Sequence, residues 1–274
     1  MSKSRRQVLR ALAAGGVIST AGCASVVEQV PNGETPSGGS EQSMQESPTE
    51  RPQPRTETAT VTEESQTTEQ WSTDDVSIDS PSEPFSSVPI PSESSAYPRM
   101  GPDDAPTVTL IGNWKCPYTR NFVLDQFPAL VDEYVRPGDV SVEFRSLAFL
   151  GEEPFLGPDA PDSTRAGLSV WENDRDRFWT YFSYVFANQP PERHAWGQPE
   201  LLVRFARNAG VADPSRIERA ITQEAFSDRL ERTVTFAASS GVGTVPRIVF
   251  DGEVTAPTVD PESTRAQLDS ASDQ

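Results

Sequence analysis

The chain has 274 residues, a formal net charge of −18 from 41 acidic and 23 basic residues, and two cysteines, Cys23 and Cys116. With no basic stripe to neutralise phosphates, this balance excludes a nucleic-acid-binding surface. All the basic residues except Lys3 and Lys115 are Arg, so the composition is acidic and nearly lysine-free. That points to an extreme halophile, where concentrated salt screens self-repulsion while charge maintains solubility, although an ordinary acidic protein from a GC-rich genome has similar statistics.

Ser4-Arg5-Arg6-Gln7-Val8-Leu9-Arg10 opens the chain and resembles a twin-arginine export signal. The weakly apolar run that follows, Ala11 to Ala21, is too short to span a membrane. Eleven helical residues reach about 16 Å against roughly 30 Å of hydrocarbon. It ends in Thr20-Ala21-Gly22-Cys23, which resembles a lipobox. That resemblance implies a signal peptide over 1–23, lipid attachment at Cys23 and a place on the outer face of the cytoplasmic membrane. Residues 24–97 are rich in Ser, Thr, Glu, Gln and Pro, with 14 acidic and two basic residues. They are expected to be a disordered tether, extended by self-repulsion beyond the roughly 50 Å of a neutral coil. Trp71 is the one tryptophan within it.

The folded domain is expected over 98–274. Thr107-Val108-Thr109-Leu110-Ile111 is a β-branched run and predicts a strand. After Cys116 the period turns helical through Val123, Phe127, Leu130 and Tyr134, with a kink expected at Pro128 and a stop at Arg136-Pro137-Gly138. Val140, Val142 and Phe144 alternate as a second strand, which makes a β-α-β unit with a parallel pair. A helical insertion follows over about 160–240. Its expected helices are capped by Ser163, carry the aromatic face Phe178, Phe182 and Phe186, begin at Pro199, begin at Asp213-Pro214, and carry Phe226, Leu230 and Val234. Arg247-Ile248-Val249-Phe250, Asp251-Gly252 and Glu253-Val254-Thr255 predict a β-hairpin, and Asp260-Pro261 a terminal helix. The order β-α-β, helical insertion, hairpin, helix is that of an α/β thioredoxin-like fold.

The motifs GPDDAPTVTLIGNWKCPYT, FPALVDEYV, VSVEFRSLAF and GVGTVPRIVFDGEV occur in order over residues 101 to 269. Together they resemble the DsbA family of thioredoxin-fold thiol-disulfide oxidoreductases. The resemblance implies Cys116, Thr119 and Pro246 as the reacting centre, with Trp114, Lys115, Pro117, Tyr118 and Val245 around the substrate. It also implies that Val245-Pro246 is a cis peptide lying against Cys116, with the Val245 backbone free to pair with an extended polypeptide. A cysteine at a helix N-cap has its thiolate stabilised by unpaired N–H groups and by the helix dipole. Lys115 is expected to act in the same direction, and Pro117 to fix the first turn.

The chain departs from that family where a second cysteine belongs: Thr119 stands there, so attack from within cannot release a mixed disulfide. Leu110 replaces a common buried acid and Asn113 a frequent aspartate. The implied function is thiol-disulfide exchange through a single cysteine, acting on exported proteins or small thiols and disulfides, with Thr119 offering its hydroxyl to the sulfur. The alternative is a redox-inactive module that binds polypeptide beside Pro246. No cofactor is expected. One free thiol and the single His194 do not make a metal-ligand set, and His194 is expected to be solvated or packed.

Overall fold

The computed structural model describes residues 71–92 and 94–274. A five-stranded mixed sheet organises them, in the order β1-β3-β2-β6-β7. Strand β1 is Arg99–Met100, β2 Thr107–Gly112, β3 Ser141–Ser146, β6 Arg247–Phe250 and β7 Glu253–Thr255; Phe149–Leu150 (β4) and Glu153–Pro154 (β5) form a separate two-stranded hairpin. β2 runs parallel to β3 and antiparallel to β6, with Leu110 opposite both Phe144 and Ile248. It is buried along nearly its whole length, which suits its β-branched and apolar residues. The β6–β7 turn, Asp251-Gly252, takes positive φ at both residues, as a two-residue hairpin requires.

Helix α1 (Pro117–Asp125) leaves the C-terminal end of β2. It breaks near Pro128, as the sequence predicts. Proline has no N–H and its ring clashes with the carbonyl four residues back, so the chain restarts as α2 (Phe127–Leu130) and closes in one π turn, Val131–Val135. The insertion contains α3 (Ala160–Asn173), α4 (Arg175–Ala187), α5 (Pro199–Asn208), α6 (Ser215–Thr222) and α7 (Ser227–Ser239), and α8 (Pro261–Ser272) ends the chain. Phe178, Phe182 and Phe186 of α4 converge on Trp114, Phe144 and Trp171 to form the centre of the core.

Two helix starts differ from expectation. α3 begins at Ala160-Pro161, so Ser163 lies inside it and its hydroxyl donates to the Asp159 carbonyl instead of capping. At α6 it is Pro214 that occupies the N-cap; the Asp213 carboxylate accepts from Ser215, Arg216 and Arg219, which hold it below the ordinary carboxylate range.

A larger correction concerns the domain boundary. Residues 71–92 and 94–97 were expected to belong to the tether, yet they form a strap across the helical layer. Phe85 is 3% exposed and packs against Phe127, Trp179 and Phe182, and Val88 is buried beside it. Ser80 bonds to Tyr184, and Arg136 donates to the Pro84 carbonyl. The acidic, proline-rich composition masks a few well-spaced apolar anchors, each of which stabilises by about 1.5–3 kcal/mol when buried. The signal peptide, Cys23 and the tether as far as residue 70 lie outside the described residues.

Candidate functional site

β2 delivers residues 113–116 into a tight turn at the head of α1. Cys116 is extended (φ −75°, ψ 122°) and is the N-cap of that helix, with Pro117 at the first helical position. Its N–H donates to the Asn113 carbonyl at 3.1 Å. Its sulfur accepts from the Thr119 N–H at 3.4 Å and lies 3.7 Å from the carbonyl oxygen of Val245. Sγ therefore sits between a backbone donor and a backbone acceptor, at the positive end of the helix. The Val245-Pro246 peptide is cis, and both residues are buried. No described residue accepts from the Val245 N–H. Cys116 is only 4% exposed, in a cluster with Ile111, Leu147, Val242 and Val245. Tyr118, in contrast, is 65% exposed at the rim.

Asn113 holds the turn together. Its side-chain NH₂ donates to the carbonyls of Leu147 (2.7 Å) and Phe155 (3.1 Å), its Oδ1 accepts from the Lys115 N–H (2.7 Å), and its own N–H donates to Thr119 Oγ1 (3.3 Å). It is buried with every polar group partnered, and each such bond would be costly to lose. In the sequence this residue stood out only as a departure from the resembled family.

Three expected contacts are corrected. The Thr119 hydroxyl oxygen is taken up by Asn113, and the residue reaches Cys116 through its backbone N–H instead. Lys115 is 1% exposed; its ammonium is paired with Asp159 and donates to the His194 carbonyl at 3.1 Å, so it neither faces a substrate nor adds an uncompensated positive charge. Trp114 is buried among Phe144, Phe178, Tyr181, Phe182 and Phe186, stacked on Phe186 at 5.3 Å, and is a core residue rather than a substrate contact. Pro117 and Tyr118 follow Cys116 in the first turn of α1, half-buried and exposed respectively, while Val245 and Pro246 are buried on the side of the cis peptide.

Sequence reasoning missed Asp159 and Gln189. Asp159 accepts from Lys115 and, at 2.6 Å, from the Gly197 N–H. Gln189 donates to the carbonyls of Trp114 (2.7 Å) and Cys116 (3.4 Å). These bonds span 38 to 75 residues, and the local hint was the lone lysine of the reactive turn. His194 is packed: its ring stacks on Trp71 with centroids 4.5 Å apart.

The Thioredoxin_4 (thioredoxin) family model matches residues 93–270. Disulfide bond formation protein D of Bacillus subtilis is 28% identical over 158 residues, covering 57% of this chain and 68% of that protein. A probable disulfide bond formation protein D of Bacillus cereus is 24% identical over 168 residues, covering 61% and 75%. In three dimensions the chain is similar to oxidised BdbD of Bacillus subtilis, with TM-score 0.58 and 24% identity over 68% of this chain and 99% of that one. Chlamydia trachomatis DsbA is similar at TM-score 0.54 and 19% identity, covering 65% and 94%. These two likenesses speak for the fold. With well over half its length matched by the family model, the chain belongs to the Thioredoxin_4 family of thioredoxins.

Proposed function

We propose that the protein carries out thiol-disulfide exchange through Cys116 alone. The observation that carries this reading is the placement of one sulfur at the N-cap of α1, 3.7 Å from the carbonyl of a cis Val245-Pro246 peptide, with Thr119 where a second thiol would resolve the product. The curated relatives, named as disulfide bond formation proteins, support the chemistry. The Cys116 thiolate attacks one sulfur of a substrate disulfide, the substrate S–S bond breaks, a Cys116–substrate disulfide forms, and the other half leaves as a thiolate. Cys116 is the one free cysteine among the described residues, so a thiol from a second molecule must then attack the mixed disulfide and return Cys116 to its reduced form. Substrates of this kind are exported polypeptides or small disulfides. The twin-arginine and lipobox resemblances add anchoring through lipid on Cys23 at the outer face of the cytoplasmic membrane.

The near-complete burial of Cys116 favours a second reading, a redox-inactive module that binds extended polypeptide along Val245. A single experiment separates the two. A Cys23→Ser chain is incubated with oxidised glutathione or a peptide disulfide and analysed by intact mass. A mixed disulfide on Cys116 in the folded state, reversed by added reduced glutathione and absent from Cys116→Ser, supports exchange. Modification that appears only after unfolding supports the binding module.

A further inference from the structure

Residues 188–198, which connect α4 to α5, are gripped from two sides. Toward the reactive turn there are two attachments: Gln189 Nε2 donates to the Trp114 and Cys116 carbonyls (2.7 and 3.4 Å), and the His194 carbonyl accepts from Lys115 Nζ (3.1 Å). Toward the strap there are two more. Asn188 accepts from the Asp79 N–H (2.8 Å) and donates to the Asp79 carbonyl (2.9 Å), while the His194 ring stacks on Trp71 with an interplanar angle of 7°. The strap is itself fastened by Arg204 of α5, which donates to the carbonyls of Thr73 (2.7 Å) and Val76 (2.6 Å).

Each attachment by itself is modest. Their arrangement is what matters, because the segment is attached toward the turn at Gln189 and His194 and toward the strap at Asn188 and His194, so no single contact has to hold it. The attachments toward the turn fall on Trp114, Lys115 and Cys116, the residues that carry the sulfur. The attachments toward the strap recruit Trp71 and the chain's single histidine, neither of which has a part in thiol exchange.

We propose that residues 188–198 form a bracket that positions Cys116, and that the strap over residues 71–79 clamps this bracket, which makes Gln189, Asn188 and Trp71 positioning residues for the thiol. This rests on the reading of Cys116 as the reacting group. The strap is thereby coupled to the reactive turn through a contiguous set of contacts, not through proximity alone.

The test uses full-length Cys23→Ser protein as the parent, with Trp71→Ala/Asn188→Ala, Gln189→Ala and Trp71→Phe made in it. Two quantities are measured: the second-order rate of Cys116 with 5,5′-dithiobis(2-nitrobenzoate), and amide hydrogen exchange over 113–119, 188–198, β2 and β3. The double variant and Gln189→Ala are expected to speed exchange over 113–119 at least tenfold and to change the thiol rate at least threefold, with β2 and β3 unaltered. Trp71→Phe, which keeps a ring against His194, should return both within twofold of the parent. Faster exchange confined to 71–79 and 188–198, with 113–119 and the thiol rate unchanged, would overturn the proposal. A uniform rise that includes β2 and β3 would overturn it too, since that marks general destabilisation. A parent Cys116 that does not react at all counts against the exchange function, while the amide measurement still decides whether the bracket exists.

Discussion

Asp159 meets the Lys115 ammonium one residue ahead of Cys116, and the pair is almost wholly removed from water. Gly157 lies against both partners at φ +118°, where an added Cβ would come within 2.8 Å of Lys115 Nζ and 3.0 Å of Asp159 Oδ1. A buried pair of this kind is costly to break from one side and far less costly to remove whole, because a single deletion strands a charge. Asp159→Ala is therefore expected to lose about 3–5 kcal/mol in urea unfolding. Lys115→Met combined with Asp159→Leu should lose much less, the remainder reflecting the Gly197 N–H that Asp159 also satisfies. Equal losses in the two proteins would mean that the pair does not act as a unit.

Thr119→Cys tests the register of the reactive turn. The Thr119 N–H already reaches Cys116 Sγ at 3.4 Å from the first turn of α1, and residues spaced three apart there have Cα atoms within disulfide range. In a Cys23→Ser background, under mild oxidation, the folded variant should lose two hydrogen atoms by mass and become resistant to thiol labelling, with a small loss of stability from the broken Asn113 N–H to Oγ1 bond. A variant that stays reduced under conditions that oxidise free dithiols would show that the two positions do not face each other.

The parts of this structure legible in the sequence are those set by local chemistry. The β-branched run of β2, proline at the first position of α1, the helix break at Pro128 and the Asp251-Gly252 turn each carry their signal within a few residues. What the sequence hid depends on distant partners. Lys115 beside Cys116 suggests a charge that favours the thiolate until Asp159, 44 residues on, meets it in the interior. Trp114 beside a reactive cysteine suggests a substrate contact until α4 brings Phe182 and Phe186 against it. At α3 two local signals compete: Ser163 is a good cap, but Pro161 marks the true first turn.

The strap illustrates the same limit and is open to direct test. Averaged over residues 24–97, composition says tether, but Phe85 alone makes three ring contacts, with Phe127 on α2 and with Trp179 and Phe182 on α4. If the strap belongs to the folded domain, Phe85→Ala should destabilise it by about 3–5 kcal/mol, as for other buried aromatics, with a single urea transition retained. A loss below about 0.5 kcal/mol, the range of ordinary surface substitutions, would return the strap to the tether.

Alkaline pH gives a last expectation, away from the sulfur. Tyr134, in the π turn, donates to Asp269 Oδ1 of α8 at 2.7 Å; burial first, and then the bond to and charge of Asp269, push its phenol up to about 12. An unfolded chain releases that proton near pH 10. Between these values the unfolded state loses a proton the folded state keeps, so the contribution is fully present below pH 10 and is lost as pH rises toward 12. Urea midpoints of the native chain should therefore fall across this window more steeply than those of Tyr134→Phe. Tyr181, also raised by burial, is common to both proteins and cancels in the comparison. Identical slopes would place the Tyr134 hydroxyl in water rather than on Asp269, and absorbance at 295 nm would then show its ionisation near pH 10 in the folded protein.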